Sequence, residues 1–501
     1  MVARQRITQE SFDEAVQENI TEFDMTPEEA VKSAVEEFEM QGADLTGIIK
    51  SADGGNIDSH PATLAVQRLT AAVGAACDAG SAEQTQSETD ACQQLLQVLR
   101  SSDKETRAEA VTVAVKAGAV RALLSSHAVT QEAASAGRTC LALSVLPVLL
   151  ISDGAQDDFA AAGGVETLAG LLDRWTGANL RPGSGDVIGA AAAAIEAAAA
   201  KHENSKCAFV DAGVHTRLIG AAVASRPPGG GEGVGGQHPP PPSALAAICN
   251  ALRSFATADD LRPSTSRAFQ NGRTIANAGA LDAMYGILQR ENDSDAAAWH
   301  PELVAAVCGA MRRIAVNDDT CTEFADLGGL AATMQAVRKG MGSAAVARSG
   351  FGLLRQLANS DAIKNTIVDQ DGLELINTAV GAHIACAGPL EQALGLLASL
   401  MLRNPAVAER AVAAGCIDTA LDAMRAAEAA GNRGFADSAV GAQWACMALR
   451  NMVARNPELR PAVLEKGAEP FLRRAKVAHP ATCDDVGAAA LRDLGFDDYL
   501  A

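Results

Sequence analysis

Arginine recurs at one register of this sequence. The triplets Ala251-Leu252-Arg253, Ala310-Met311-Arg312, Leu353-Leu354-Arg355 and Ala448-Leu449-Arg450 occupy one position in segments of helical apolar spacing, and Ala398 is the exception in a fifth. A guanidinium is always charged and presents a planar fork of donors, so a repeated arginine suits bidentate recognition of carboxylates. The chemistry implied is capture of an acidic peptide or a carboxylate-rich surface. The competing expectation is that each arginine pairs with an acid of its own or the next repeat, as charge on repeat helices commonly does.

Other reactive residue types lack the spacing that chemistry needs. There is no Walker loop, no G-x-S-x-G, no H-E-x-x-H and no spaced Cys/His ligand set, so neither catalysis, a cofactor nor a metal is expected. Gly231-x-Gly233-x-x-Gly236 matches a dinucleotide fingerprint formally, but it follows no strand pattern and opens no helix pattern. The eleven cysteines include no C-x-x-C pair. Cys249, Cys308 and Cys446 share one position, held by Phe351 in another repeat, which points to shared burial. Asp259-Asp260 and Asp318-Asp319 are paired carboxylates at helix ends, where capping is the expected role. His215 and His383 fall inside helical segments and read as packing residues.

The elements that must position the arginines are helices in repeated groups. In Val304–Val337, the residues Val304, Val307, Met311 and Ile314 form one apolar stripe, Asn317-Asp318-Asp319 breaks and caps, and a short helix through Phe324 ends at Gly328-Gly329. Leu330, Met334 and Val337 then begin a third stripe. Taking Gly118, Gly163, Gly213, Gly279, Gly328, Asp371, Gly415 and Gly467 as equivalent turn positions, the steps are 45, 50, 66, 49, 43, 44 and 52 residues. The long steps contain a Gly/Pro-rich loop, 226–243, a lengthened connection, Asp259–Arg273, and a small-residue loop, Ala427–Ala439. Gly309, Gly352 and Gly395 also coincide. A helix-interior glycine costs about 1 kcal/mol against alanine, so close approach of helices is the expected reason.

Upstream of the repeats, residues 1–50 read as an acidic helical pair, with stripes Phe12, Val16, Ile20, Phe23 and Val31, Ala34, Val35, Phe38. Thr26-Pro27-Glu28-Glu29 is a capping-box start and Gly42 a stop. Residues 51–61 read as a linker and 62–501 as the repeat region. A net charge of −20 disfavours sequence-independent binding to nucleic acid or anionic membranes. The run Leu141–Ile151 is too short to span a bilayer, and the polar residues 1–10 lack the apolar segment of a secretory signal. The expectation is a cytoplasmic protein, with access to the nucleus left open.

Steps near 43 residues, three helices per unit and a glycine turn resemble the armadillo-repeat family. Three non-repeat stretches strengthen the likeness: residues 6–50, DDLRPSTSRAFQNGRTIA at 259–276 and AALRDLGF at 489–496. The resemblance implies an all-α fold, a right-handed α-solenoid of about eight or nine units with the N-terminal helical pair packed against or capping the first. It also implies a non-catalytic protein-interaction scaffold, with the third helices lining the concave surface and the arginines forming a ladder along it. A structural subunit that binds through edges and loops is the alternative. Nuclear-import receptors of this class carry Trp and Asn pairs on the third helix. Here the Asn positions hold Ser254, Arg313, Gln356, Ser399 and Asn451, and the Trp positions hold Asn250, Gly309, Gly352, Gly395 and Met447, so that role is disfavoured. Trp444 precedes its expected place by three residues and reads as core. The candidate groove residues are therefore Arg253, Arg312, Arg313, Arg355, Arg450 and Asn451, facing a protein or peptide partner.

Overall fold

The computed structural model describes residues 5–7, 9–45, 48–50, 60–74, 82–101, 103–131, 134–177, 180–224, 240–429 and 439–500. Most of the loop 226–243, the glycine fingerprint within it, the linker before Pro61 and most of 427–439 lie outside the described residues. The chain divides into two compact units. The first is Met1–Arg217 with Glu232–Pro240 and Asp259–Thr265, and the second is Leu218–Gly231, Pro241–Ala258 and Ser266–Ala501.

The N-terminal segment has its own small core. Helices α1 (Gln9–Glu22) and α2 (Pro27–Met40) pack through Phe12, Val16, Ala30 and Ala34, closed by Leu45 and Ile48 from the chain that follows. The Phe12 and Phe38 rings lie 6.0 Å apart. At the start of α2 the Glu29 carboxylate accepts from the Thr26 hydroxyl at 2.7 Å and from its backbone N–H at 3.1 Å, which holds the acid below its usual pKa. Gly42 takes φ +73° at the expected stop. Two details differ from the sequence reading. Phe23 is 63 % exposed, because it falls just past the C-terminal end of α1. A two-residue parallel ladder, Gln5–Arg6 with Ala43–Asp44, ties the start of the segment to its end.

After α3 (Pro61–Gly74) and α4 (Ala82–Leu99), the described residues fall into eight helical groups of an all-α solenoid. In the group that ends at Leu357, a helix Asp318–Asp326 is followed by Gly329–Lys339 and then by the longer Ala344–Leu357. Asn317 opens the first, its side chain accepting from Thr320 N–H at 3.1 Å, so Asp318 and Asp319 lie in the first turn rather than at the cap. All eight positions taken as equivalent turns have left-handed backbone, from +62° at Asp371 to +92° at Gly279. That conformation is free for glycine, while aspartate is among the few other residues that tolerate it. Third helices stack on third helices within each unit, as Pro242–Phe255, Pro301–Ile314, Ala344–Leu357, Ala387–Met401, Ala439–Val453 and Pro480–Leu494 do in the second. Pro242 opens the first of these, so the Gly/Pro-rich stretch ends before Ser243.

Candidate binding surface of the second unit

The arginine register follows from helix geometry. In the third helices the residue before each register position is wholly buried: Leu252, Met311, Leu354, Leu397, Leu449 and Leu491 are each 0 % exposed. One further residue turns the helix by about 100°, which carries the next side chain to the rim of the stack. Arg253, Arg312, Arg355 and Arg450 accordingly are half-buried, whereas Ala398 is buried. The sequence continues the series one repeat further than expected, because Ala490-Leu491-Arg492 repeats the Ala448-Leu449-Arg450 triplet, and Arg492 is exposed.

Each of the first three arginines leans on the glycine of the following third helix. A Cβ built on Gly309 would meet Arg253 Nη1 at 3.6 Å, one on Gly352 would meet Arg312 Nη1 at 3.0 Å, and one on Gly395 would meet Arg355 Nη1 at 2.8 Å. These glycines seat the arginine of the preceding repeat, so what approaches each of them from the neighbouring helix is a side chain. Where the register holds Ala398, the following helix has Met447 in place of glycine. Arg348, two turns before Arg355 on the same helix, repeats the arrangement with Gly388, its Cδ 3.1 Å from the built Cβ.

The arginines differ in what balances their charge. Arg450 Nε donates to Asp493 Oδ2 at 3.1 Å, and Arg492 binds the other oxygen of that carboxylate, so at this end the pairing expectation holds. Arg312 has no carboxylate partner among the described residues. Burial comes first, then the fields of Arg355, Arg313 and Arg348, in pulling its guanidinium below the ordinary value. It stays charged near neutrality, so this is concentrated positive potential rather than neutralisation. Burial likewise lowers Arg355, opposed by the acid Glu391. Its Cζ lies 5.0 Å from the centroid of Trp444, an attractive cation–π distance. Trp444 is half-buried beside Gly395 rather than in the core.

Of the remaining candidates, Arg313 is exposed, while Asn451 is engaged structurally: its Nδ2 donates to Ala398 O at 2.9 Å. Gln356 Nε2 does the same with Ala315 O at 2.8 Å. Ser254 and Ser399 bond to carbonyls within their own helices. Two of the five Asn-ladder positions, Gln356 and Asn451, thus bond across the stack, two bond within their own helices, and Arg313 is exposed.

Residues marked for other chemistry are also placed. Cys249, Cys308 and Cys446 are fully buried, and burial pushes the Cys249 and Cys308 thiols up to about 12. His215 is buried and its pKa is lowered by that burial. His383 Nε2 lies 2.7 Å from Met341 O. Asp259 and Asp260 act across repeats: in the first unit Asp259 pairs with fully buried Lys206, and Asp260 accepts from Glu203 N–H at 2.7 Å, capping the helix Glu203–Asp211. Arg262 holds Asp260 with two bonds of 2.9 Å and reaches Lys201 O at 3.0 Å. Asp260 does cap, but the helix is one met more than fifty residues earlier in the chain, while Asp259 serves an ion pair instead. No group of three or more His, Cys, Asp or Glu side chains among the described residues could hold a metal ion, and no described helix is long and apolar enough to cross a membrane.

Comparison with known proteins gives a consistent result. Residues 4–88 match the model of the armadillo repeat-containing protein 6 N-terminal domain. The chain is 30% identical over 413 residues to armadillo repeat-containing protein 6 of Homo sapiens, an alignment covering 80% of this chain and 74% of that one. The Pongo abelii protein matches to the same extent, and the Drosophila melanogaster homolog is 25% identical over 398 residues, 79% of this chain and 77% of its own. Among solved structures, the crystal structure of an engineered protein from the Northeast Structural Genomics Consortium superposes with a TM-score of 0.56 at 17% identity, covering 98% of this chain and 100% of that one, which bears on the fold alone.

Proposed function

Because the chain belongs to the armadillo repeat-containing protein 6 family, we propose that it is a non-catalytic interaction scaffold that holds an acidic protein segment on the third helices of its second unit. The observation that carries this reading is Arg312, a half-buried cation seated at Gly352, in the field of three other arginines and with no carboxylate partner among the described residues. Such a group gains from a partner's carboxylate without first giving up one of its own. Arg253, Arg312 and Arg355 form the core of the row, Arg313 and Arg348 flank it, and Trp444 provides an aromatic wall. Arg450 stands outside it because Asp493 already pairs with it.

A second reading draws on a different observation. Leu261 is 96 % exposed although Asp260 and Arg262 on either side are fixed, an apolar knob suited to contact at an edge of a larger assembly. One capture experiment with native extract separates the two. The Arg312→Glu/Arg355→Glu double variant, folded by circular dichroism, is expected to lose partners that the wild type and Leu261→Asp retain. Loss on Leu261→Asp with recovery on the double arginine variant would establish the edge reading and remove the groove.

A further inference from the structure

The reading of the arginine row as a binding surface leaves open which anion it is built for, and the next inference rests on that reading. We propose that the cluster of Arg312, Arg313, Arg348 and Arg355 takes a phosphorylated serine or threonine in the bound segment, with Arg312 and Arg355 gripping the phosphate and Arg313 and Arg348 flanking it. Four arginines lie on two successive third helices, Pro301–Ile314 and Ala344–Leu357; Arg312 of the first is seated at Gly352 of the second, one turn from Arg355, and after burial the fields of the other three lower Arg312 further. One carboxylate brings a single charge to such a cluster and leaves most of the repulsion in place. A phosphate brings close to two charges and three acceptor oxygens, enough to engage several guanidiniums at once.

The seats also favour a compact polyanion. Arg312 and Arg355 are held against Gly352 and Gly395, and Arg348 against Gly388, so the forks are positioned before a ligand arrives and lose little freedom on binding. Gln392 borders Gly352 as well, its Oε1 3.4 Å from the built Cβ, buried and without a hydrogen-bond partner. An amide turned about its last torsion presents N–H donors where that oxygen lies, a further contact for a phosphate oxygen. The acid nearest in effect is Glu391, which acts on Arg355 and is absent from the groups acting on Arg312, so the anion's centre of charge is placed nearer Arg312. All members of the row are arginines, with no lysine, as planar phosphate and carboxylate recognition favours.

The test uses the full chain and three degenerate libraries of short peptides, identical except that the central residue is phosphoserine, glutamate or serine, read by fluorescence anisotropy. Phosphoserine is expected to bind about tenfold more tightly than glutamate, the difference of one added charge-assisted contact, and serine more weakly still. Arg312→Gln should erase the phosphoserine preference, while Arg450→Gln, outside the cluster, should preserve it. Equal affinity for phosphoserine and glutamate libraries, with both lost in Arg312→Gln, would overturn the phosphate assignment and leave the acidic-segment reading standing. Binding of no library would overturn both. Displacement by inorganic phosphate alone, at concentrations comparable to the peptide's own affinity, would show a free-anion site and also overturn the proposal.

Discussion

Lys206 in the first unit and Arg312 in the second are both cations drawn into a helix stack, and they are balanced in opposite ways. Lys206 is wholly buried, pairs with Asp259 and stands 4.0 Å from Glu203. Around it Asp260 caps a helix and Arg262 clamps the loop that carries both acids. A second set in the same unit is similar: Glu88, 2 % exposed, receives His127 on one oxygen and Arg138 at 3.2 Å on the other. Arg312 lies in the field of other arginines, seated on a glycine and with no carboxylate partner among the described residues. The first arrangement satisfies charge inside the fold and so stabilises it. The second leaves Arg312 without a carboxylate partner among the described residues, which costs some repulsion and, on the reading proposed above, serves another molecule.

The contrast can be broken by substitution. Lys206→Met keeps the buried stem and removes the charge, leaving Asp259 without its partner. Urea unfolding should show a loss of about 2 kcal/mol, against a change within about 0.5 kcal/mol for Arg312→Gln. Comparable losses in the two variants would mean that the arginine row is structural after all. Asp260→Asn removes a carboxylate that Arg262 holds well below the usual range. A depressed native pKa contributes stability that is present above the unfolded value, near 4, and disappears as pH falls toward the native one. The variant should therefore unfold about 1 kcal/mol more easily at neutral pH, with the gap to wild type narrowing in scans below pH ~4. A gap independent of pH would show that charge has no part in the clamp.

The smallest effect is the most discriminating for the second unit. Gly309→Ala and Gly352→Ala should each gain up to about 1 kcal/mol of helix propensity. At Gly309 the new methyl meets Arg253 at ordinary contact distance, 3.6 Å, whereas at Gly352 it displaces Arg312 from 3.0 Å. Partner capture should persist in the first variant and weaken in the second, with thermal denaturation confirming that both remain folded. Unaltered capture by Gly352→Ala would mean that the seat is irrelevant to binding.

Much of this fold could be read from local sequence because its punctuation is local. Left-handed backbone selects glycine at seven of the eight turns, and even Asp371 is identifiable from Gly372 after it and the spacing to its neighbours. The arginine register was legible for the same reason, since it sits one residue beyond a buried leucine or methionine. What could not be read depends on contacts across repeats. Nothing in DDLRPSTS announces that its second acid, Asp260, caps a helix beginning at Glu203, because that bond joins residues far apart in the chain. The purpose of Gly352 is set by a side chain from another repeat, and Trp444 was misplaced because its environment is Arg355 rather than its own helix. Arg492 and Arg348 do carry a signal in the sequence, a repeated Ala-Leu-Arg triplet and a seven-residue spacing from Arg355.

The seating of Arg253, Arg312 and Arg355 on the repeat that follows bears on how this protein should be cut. A fragment ending at Leu357 would contain Arg355 yet lack Gly395 and Trp444, so its last arginine would wave freely in solvent. Deletion mapping would then assign the lost affinity to the repeat removed, although the residue that fails belongs to the repeat retained. Boundaries drawn from such fragments will sit one repeat too far toward the C-terminus, and a minimal binding fragment needs one more repeat than its contacts suggest.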